Sequence, residues 1–460
     1  MPLEGRGSCK VISEGKHSPY AEMEGTMATK LKRISVLSKE NPDMVFTSIG
    51  HLIDEAMLKD CHKHMDGKKA VGIDGVTKDE YEENLNEDLK DLVERLKRGA
   101  YKPKPARRVY IPKDNKGKMR PLSIYCYEDK LVQEALRRIL TAVFEPHFYD
   151  EMVGFRPNRG CHDAIRKLAR MLDKNPTSWV LDADIKGFFD HLDHEWIIRF
   201  VESRIKDPNI IRLLRRMLKA GIMEDFVFEP SEEGSGQGSV CSPIISCIYM
   251  HYVLVWWFKE RIQPQLKYYS SLVVYADDFV ACFQRKDEAE KFYEALKKRM
   301  AYFGLEIEEN KTRLIEFGKY AAENRKKRGQ GKPETFDFLG FTHYCSKARD
   351  GRYRAKRKTS KKKFAKSCRN FNQKIRAMRT NKLEIIFKKV NRMLVGYYNY
   401  YGVTDNGRSL YNFLNQVEKM LFYWLNHRSN KKSYTWEQYN QMKTYYPLAT
   451  PKIRVNVYAQ

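Results

Sequence analysis

The chain has 460 residues, room for roughly two to four domains and a sizeable core. Its 85 lysines and arginines outweigh 59 aspartates and glutamates, and the net charge of +26 with 12% aromatic residues suits a nucleic-acid partner. Nine cysteines form no Cys-x-x-Cys pair and stand beside no histidine cluster, which speaks against a zinc site or a disulfide framework. No stretch is apolar for long enough to cross a membrane, and the N-terminus lacks a signal-peptide core, so a reducing, cytoplasmic setting is expected, bacterial or else organellar in origin.

Residues 1–45 are polar and punctuated and are expected to be poorly ordered, apart from the start of a helix over 31–37. The apolar period of Ile49, Leu52, Ile53, Met57 and Leu58 predicts a helix within 46–65. A glycine-punctuated turn follows over 70–76; its Gly-x-x-Gly lacks the ending of a phosphate loop. Thr77 and Glu80 make a capping box that opens a helix through Leu85, Leu89, Leu92 and Leu96. Residues 107–113 and 119–122 read as a hairpin with a charged tip. Lys113 and Arg120 stand at its shoulders, where cations could hold a triphosphate, Arg as a planar fork and Lys as a point charge. An amphipathic helix runs from Asp129 towards Phe144. Phe155-Arg156-Pro157 then sets an arginine beside a proline in a turn, which packing alone does not readily explain.

The segment Trp179-Val180-Leu181-Asp182-Ala183-Asp184-Ile185 is a strand, apolar but for its two acids. Alternation puts Val180, Asp182 and Asp184 on one face and Leu181, Ala183 and Ile185 on the other. An acid buried alone in such a strand costs several kcal/mol, so it calls for a partner. Asp193 is the expected N-cap of the next helix. Gly236, Gln237, Gly238 and Ser239 form a small-residue turn ahead of an apolar helix over 244–257, and the glycines would let backbone come close to a base or a strand of template. Leu272-Val273-Val274 and Phe279-Val280-Ala281 flank Tyr275-Ala276-Asp277-Asp278, a β-hairpin with two carboxylates at its tip. Such carboxylates repel unless positive charge lies between them, and a divalent metal that takes hard oxygen ligands is the usual answer. Two metals about 4 Å apart, clamped by carboxylates from separate strands, stabilise both oxygens of an in-line phosphoryl displacement.

A helix over 287–303, a short strand over 304–307 and Asn310-Lys311-Thr312 come next. Residues 325–332 are basic and expected to be disordered. From 347 to 379 there are 15 lysines or arginines and a single acid, Asp350; such a run is a solvated face that could also collect phosphate contacts. Two apolar-aromatic helices follow. Their tyrosines, Tyr397, Tyr398, Tyr400 and Tyr401, either pack between helices or stack on unpaired RNA bases.

Asp184 ahead of Phe188-Phe189, with Tyr-Ala-Asp-Asp about ninety residues later, resembles the palm of a reverse transcriptase. The 70–76 turn, the 107–122 hairpin, Gly154-Phe155-Arg156-Pro157, the turn at Gln237, Lys311, Phe338-Leu339-Gly340-Phe341 and Val395-Gly396-Tyr397-Tyr398 stand in an order that resembles group II intron-encoded reverse transcriptase/maturases over residues 45–455. Gly236 replaces the usual proline of that family, and Ser239 a frequent glycine. The resemblance implies an α+β right-hand polymerase whose palm is a small antiparallel sheet packed on helices. Asp184, Asp277 and Asp278 are the implied catalytic acids. With the backbone carbonyl of Ile185 they would hold two Mg²⁺ ions, for which Mn²⁺ could substitute. Lys113, Arg120, Phe189, Gln237 and Lys311 are the implied nucleotide-binding residues, with the Phe189 ring against the sugar 2′ position. Arg156, Gly340, Lys361, Lys362, Lys363, Arg428, Lys431 and Lys432 are the implied contacts to template, primer or RNA.

The expected division is an N-terminal extension over 1–45, fingers over 46–178, palm over 179–345, a basic linker opening the thumb over 346–380, and a thumb and maturase domain over 381–460. The expected function is an RNA-directed DNA polymerase that also binds its intron RNA to assist splicing and mobility. A free-standing relative without an intron, and an RNA-binding splicing factor with a relic palm, are the alternatives. Partners implied are RNA template, intron RNA, DNA primer or target DNA and deoxynucleoside triphosphates. No endonuclease module with paired cysteines follows Cys368, so the protein is expected either to prime from something other than its own second-strand cut or to rely on a partner nuclease.

Overall fold

The computed structural model describes residues 25–112, 119–224, 227–229, 233–428 and 434–459. The chain mixes helices with small, mostly antiparallel sheets. Helix Gly25–Glu40 is not the poorly ordered segment expected of residues 1–45: Met27 and Leu31 are buried, and the Ser38 hydroxyl donates to the Val143 carbonyl at 2.7 Å. The helix expected within 46–65 is split. A short 3₁₀ turn, Gly50–Leu52, precedes helix Glu55–His64, because the Asp54 side chain accepts from the Met57 amide at 2.8 Å and caps the second segment. The capping box closes as expected, the Thr77 amide donating to Glu80 at 2.8 Å and the Glu80 amide to Thr77 Oγ1 at 3.2 Å. Asp193 likewise caps helix His194–Glu202.

The central element is a four-stranded sheet in the order Arg313–Glu316, Trp179–Ala183, Asp278–Phe283, Ser270–Tyr275, every neighbouring pair antiparallel. Both of its faces are buried, and alternation assigns each residue to one of two cores. Leu181, Ala183, Leu272, Val274, Phe279 and Ala281 join a core with helices Tyr127–Phe144, Ser242–Met250 and Lys286–Tyr302. Val180, Val273, Val280, Cys282 and Ile315 join the other, with helix Cys161–Asp173 and the C-terminal helices.

A second four-stranded sheet pairs Ala106–Pro112 with Met119–Ile124 and extends to Ile222–Glu224 and Val227–Glu229. A third, three-stranded sheet is Phe336–Phe338, Phe341–Lys347 and Tyr353–Thr359. It runs directly into helix Lys361–Met378, so the span 346–380 is strand and helix and not a linker. Nor is 325–332 a disordered insertion: its first part closes helix Ala321–Lys327, and Arg328 pairs with the buried carboxylate of Glu316. Helices Leu383–Tyr401, Gly407–Leu425 and Trp436–Tyr445 complete the second core. No helix among the described residues is long and apolar enough to cross a membrane.

Candidate functional site

The strands of the central sheet end together at one acidic edge. Tyr275 pairs with Asp278, leaving Ala276 and Asp277 as a two-residue turn. Ala276 takes a left-handed φ of 59°, as the hairpin turns compatible with strand twist demand. Residues 151–154 lie alongside and brace this tip: Val153 N–H donates to the Val274 carbonyl at 2.9 Å, and Val274 N–H to that of Glu151 at 2.8 Å. A Cβ on Gly154 would stand 2.3 Å from the Ala276 nitrogen, so only glycine lets the two backbones meet. The sequence singles out the Gly154-Phe155-Arg156-Pro157 run as a block, but not the close backbone approach that requires Gly154.

On the neighbouring strand Ala183 pairs with Phe279, which brings Asp184 to the same edge as Asp278. Asp184 is gripped by residues 308–312. Its carbonyl accepts from Glu308 N–H at 2.8 Å, its amide donates to Thr312 Oγ1 at 3.3 Å, and its carboxylate pairs with Lys311 Nζ at 2.5 Å. The Asp184 carboxylate, with Glu308 and Asp278 beyond it, holds the Lys311 ammonium above its ordinary value. Ile185 pairs with Ile307. Because the adjacent Asp184–Glu308 pair makes the ladder bond, alternation turns the Ile185 carbonyl to the other edge, away from that strand.

Asp182 is a fourth carboxylate here, which the sequence reading placed on the right face but gave no role. Burial lifts its pKa to about 7; Arg313, at 3.9 Å, opposes the lift, and Asp278, Asp337 and Asp184 add to it. No three His, Cys, Asp or Glu side chains among the described residues form a ready-made metal cage. The donor set nevertheless fits a divalent cation. It offers the hard carboxylate oxygens of Asp184, Asp277 and Asp278, brought to one sheet edge by the strand pairing, with an ammonium already drawn onto the first of them.

Beside this edge lies a second group of expected residues. Phe189 sits in the 3₁₀ turn Phe188–Asp190, half-buried, its ring edge-on to Phe188 at 5.2 Å and to Phe155 at 6.3 Å. Gln237 Nε2 donates to Asp190 Oδ1 at 3.0 Å, and its carbonyl accepts from Ser123 N–H at 2.7 Å. The loop around Gln237 therefore ties the Phe189 turn to strand Met119–Ile124, which carries Arg120 opposite Ile111. The close approach expected of its glycines is made to Tyr125 and Ser123 of this chain, not to an open groove. Lys113 lies outside the described residues.

Arg156 does not face a template as expected. Its side chain is 4% exposed. Nε and Nη2 pair with Glu145, the latter at 2.9 Å, and Nη1 donates to the carbonyls of Tyr149 and Met152 at 2.7 and 2.9 Å. With its donors engaged inside, the guanidinium holds the loop that braces the acidic hairpin.

Gly340 and Leu339 form the turn between Phe338 and Phe341, with φ of 82° and 48°. The Leu339 carbonyl accepts from the Tyr400 hydroxyl at 2.9 Å, and the Gly340 carbonyl from Ser360 N–H at 3.0 Å. Ser360 caps helix Lys361–Met378, so Lys361, Lys362 and Lys363 stand in that helix's first turn next to the Gly340 turn; the first two are exposed. Tyr397, Tyr398 and Tyr401 are buried, Tyr397 stacked on Phe413 at 3.7 Å, so these three are packing residues and do not stack on RNA. Arg428 donates to the Asn381 carbonyl at 2.7 Å. Lys431 and Lys432 lie outside the described residues.

Residues 111–343 match the family described as reverse transcriptase (RNA-dependent DNA polymerase), and residues 368–445 match the group II intron, maturase-specific domain. The group II intron-encoded protein LtrA of Lactococcus lactis subsp. cremoris is 33% identical over 310 residues, 65% of this chain and 51% of that protein. Protein YkfC of Escherichia coli (strain K12) is 38% identical over 188 residues, 40% of this chain and 49% of that protein. The putative COX1/OXI3 intron 1 protein of Saccharomyces cerevisiae is 38% identical over 169 residues, 36% of this chain and 20% of that protein. The chain spans about half the length of the first of these relatives. An acidic hairpin tip braced beside a second acidic strand, the two family matches and these relatives agree: the chain belongs to the reverse transcriptase family and carries a group II intron maturase-specific domain.

Proposed function

We propose that this protein is an RNA-directed DNA polymerase that also binds its intron RNA to assist splicing. The observation that carries the reading is the meeting of Asp184 with Asp277 and Asp278 at one edge of the central sheet, where a cation is already drawn to Asp184. In this reading the fingers span 46–178 and the palm 179–345, and the helices after Ser360 form the thumb and maturase region. Asp184, Asp277, Asp278 and the carbonyl of Ile185 hold two divalent ions, Mg²⁺ by preference. Bound there, the ions supply charge stabilisation to the attacking and leaving oxygens of phosphoryl transfer.

The remaining work belongs to the chain itself. Arg120, with Lys113, clamps the triphosphate of the incoming deoxynucleotide, and Gln237 lines the same side. The Phe189 ring, backed by Phe188 and Phe155, closes on the sugar and excludes a 2′-hydroxyl by overlap. The Gly340 turn meets the primer end. Lys361, Lys362 and Lys363 continue along the duplex through its phosphates, which adds affinity without sequence preference.

The test is primer extension on an RNA template with deoxynucleotides, run beside filter binding of the intron RNA that flanks the coding sequence. Extension with tighter binding of that RNA than of a generic duplex supports the reading; a protein that binds the RNA but never extends a primer overturns its polymerase half. Phe189→Ala should incorporate ribonucleotides, read as alkali-labile product. Unchanged sugar discrimination would move the gate to another residue.

A further inference from the structure

The loop of residues 308–312 holds Asp184 by its amide, its carbonyl and its carboxylate together. It is itself closed, since the amides of Lys311 and Thr312 both donate to the Glu308 carbonyl at 2.9 Å. The backbone bonds fix where Asp184 stands, but the side-chain bond is of another kind. The Lys311 side chain is 62% exposed and that of Asp184 28%, so the ammonium approaches from the open side of the site. Of the further acids near it, Glu308 and Asp278, the Glu308 carboxylate lies 4.0 Å from Nζ. A lysine ammonium is a compact point charge on a flexible stem, able to move between nearby anions. A divalent cation bound at Asp184 Oδ2 would want the same oxygen and would repel the ammonium.

We infer that Lys311 is a displaceable counter-ion of the acid cluster. It neutralises Asp184 while no metal is bound, and swings to Glu308 or to the triphosphate of an incoming nucleotide when a divalent cation takes its place. This rests on the polymerase reading, and assigns Lys311 a task before the reaction as well as beside the triphosphate. Because the ammonium must leave for the cation to enter, any anion that receives it strengthens cation binding, and by linkage the cation strengthens binding of that anion.

The test is a Mn²⁺ titration of the full chain without nucleotide, followed by electron paramagnetic resonance, on the wild type, Lys311→Met, Lys311→Arg and Asp184→Asn. Removing an exposed ion pair releases only a modest interaction, so Lys311→Met should bind Mn²⁺ about two- to fivefold tighter, and Lys311→Arg should stay near the wild type. Thermal unfolding gives a second readout: Lys311→Met should lose stability in chelator and gain more from added Mn²⁺ than the wild type does. If Asp184→Asn weakens Mn²⁺ binding but Lys311→Met leaves it unchanged or weaker, the role given to the lysine is overturned and the metal assignment stands. If Asp184→Asn changes nothing, the metal assignment is overturned, and the role of Lys311 with it.

Discussion

Arg156, Lys361 and Lys362 are cations of one chain expected to do one job, yet the arginine and the two lysines stand in opposite circumstances. The Arg156 guanidinium is buried against Phe148, at 5.5 Å, and shared among Glu145 and two carbonyls. Its removal from water is offset inside the protein. Lys361 and Lys362 are exposed at the N-terminal end of a helix whose first turn has no acid. Positive charge there opposes the helix dipole, and an external anion would relieve it. The residue type is therefore a poor guide to nucleic-acid contact; what decides is whether the donors already have partners.

The largest effect is expected at the acidic edge that both regions would serve. Asp277→Asn should lower primer extension roughly a thousandfold or more while RNA binding stays near wild type, because a lost metal ligand acts on the transition state. Near wild-type extension would remove the reason to read either cationic region as polymerase machinery. Arg156→Ala should cost about 3–5 kcal/mol in urea unfolding, since it leaves Glu145 and two carbonyls without their partner in a buried place. RNA affinity per folded molecule should not change. Wild-type stability with weakened RNA binding would put Arg156 back on the template.

A buried carboxyl should also make stability depend on pH. Burial raises the Asp129 carboxyl from its ordinary 3.8 to about 6, against the hydrogen bonds it accepts from the Tyr101 hydroxyl and the Lys104 amide. Between these values the folded protein keeps a proton that the unfolded chain has released. Stability from this group is thus fully present below the lower value, falls as pH rises through the window by about 3 kcal/mol, and is level above it. Unfolding of Asp129→Asn measured at pH 4 and pH 6.5 should lack that fall; an unaltered slope would assign it to another group. The smallest effect is expected at the first turn of helix Lys361–Met378. Joint replacement of Lys361, Lys362 and Lys363 by alanine should leave stability nearly unchanged and weaken all duplexes alike. The salt dependence of binding should flatten by about 2 to 3 in slope. Loss confined to one RNA would turn this face from a phosphate rail into a recognition surface.

Much of the site was legible along the chain. The alternation over 179–183, the hairpin around Asp277 and Asp278, the capping box at Thr77 and the cap at Asp193 all appear as read, because each is set by interactions within a few residues; the strand expected over 179–185 breaks at Asp184, after which Ile185 and Lys186 pair in a separate two-stranded sheet. The docking of helix Gly25–Glu40 was not legible, since its anchor at Val143 is 105 residues away, nor was the hold of Lys311 on Asp184 across 127 residues. Even Arg156, whose partner Glu145 is only 11 residues distant, was misread, because the local pattern does not say which way a turn faces. Local patterning sufficed for the acidic strand, its hairpin and the helix caps, and so for which acids share an edge. Only the tertiary structure decided which charges are satisfied inside and which remain for a ligand, because desolvation and partner distance are properties of how separate segments meet.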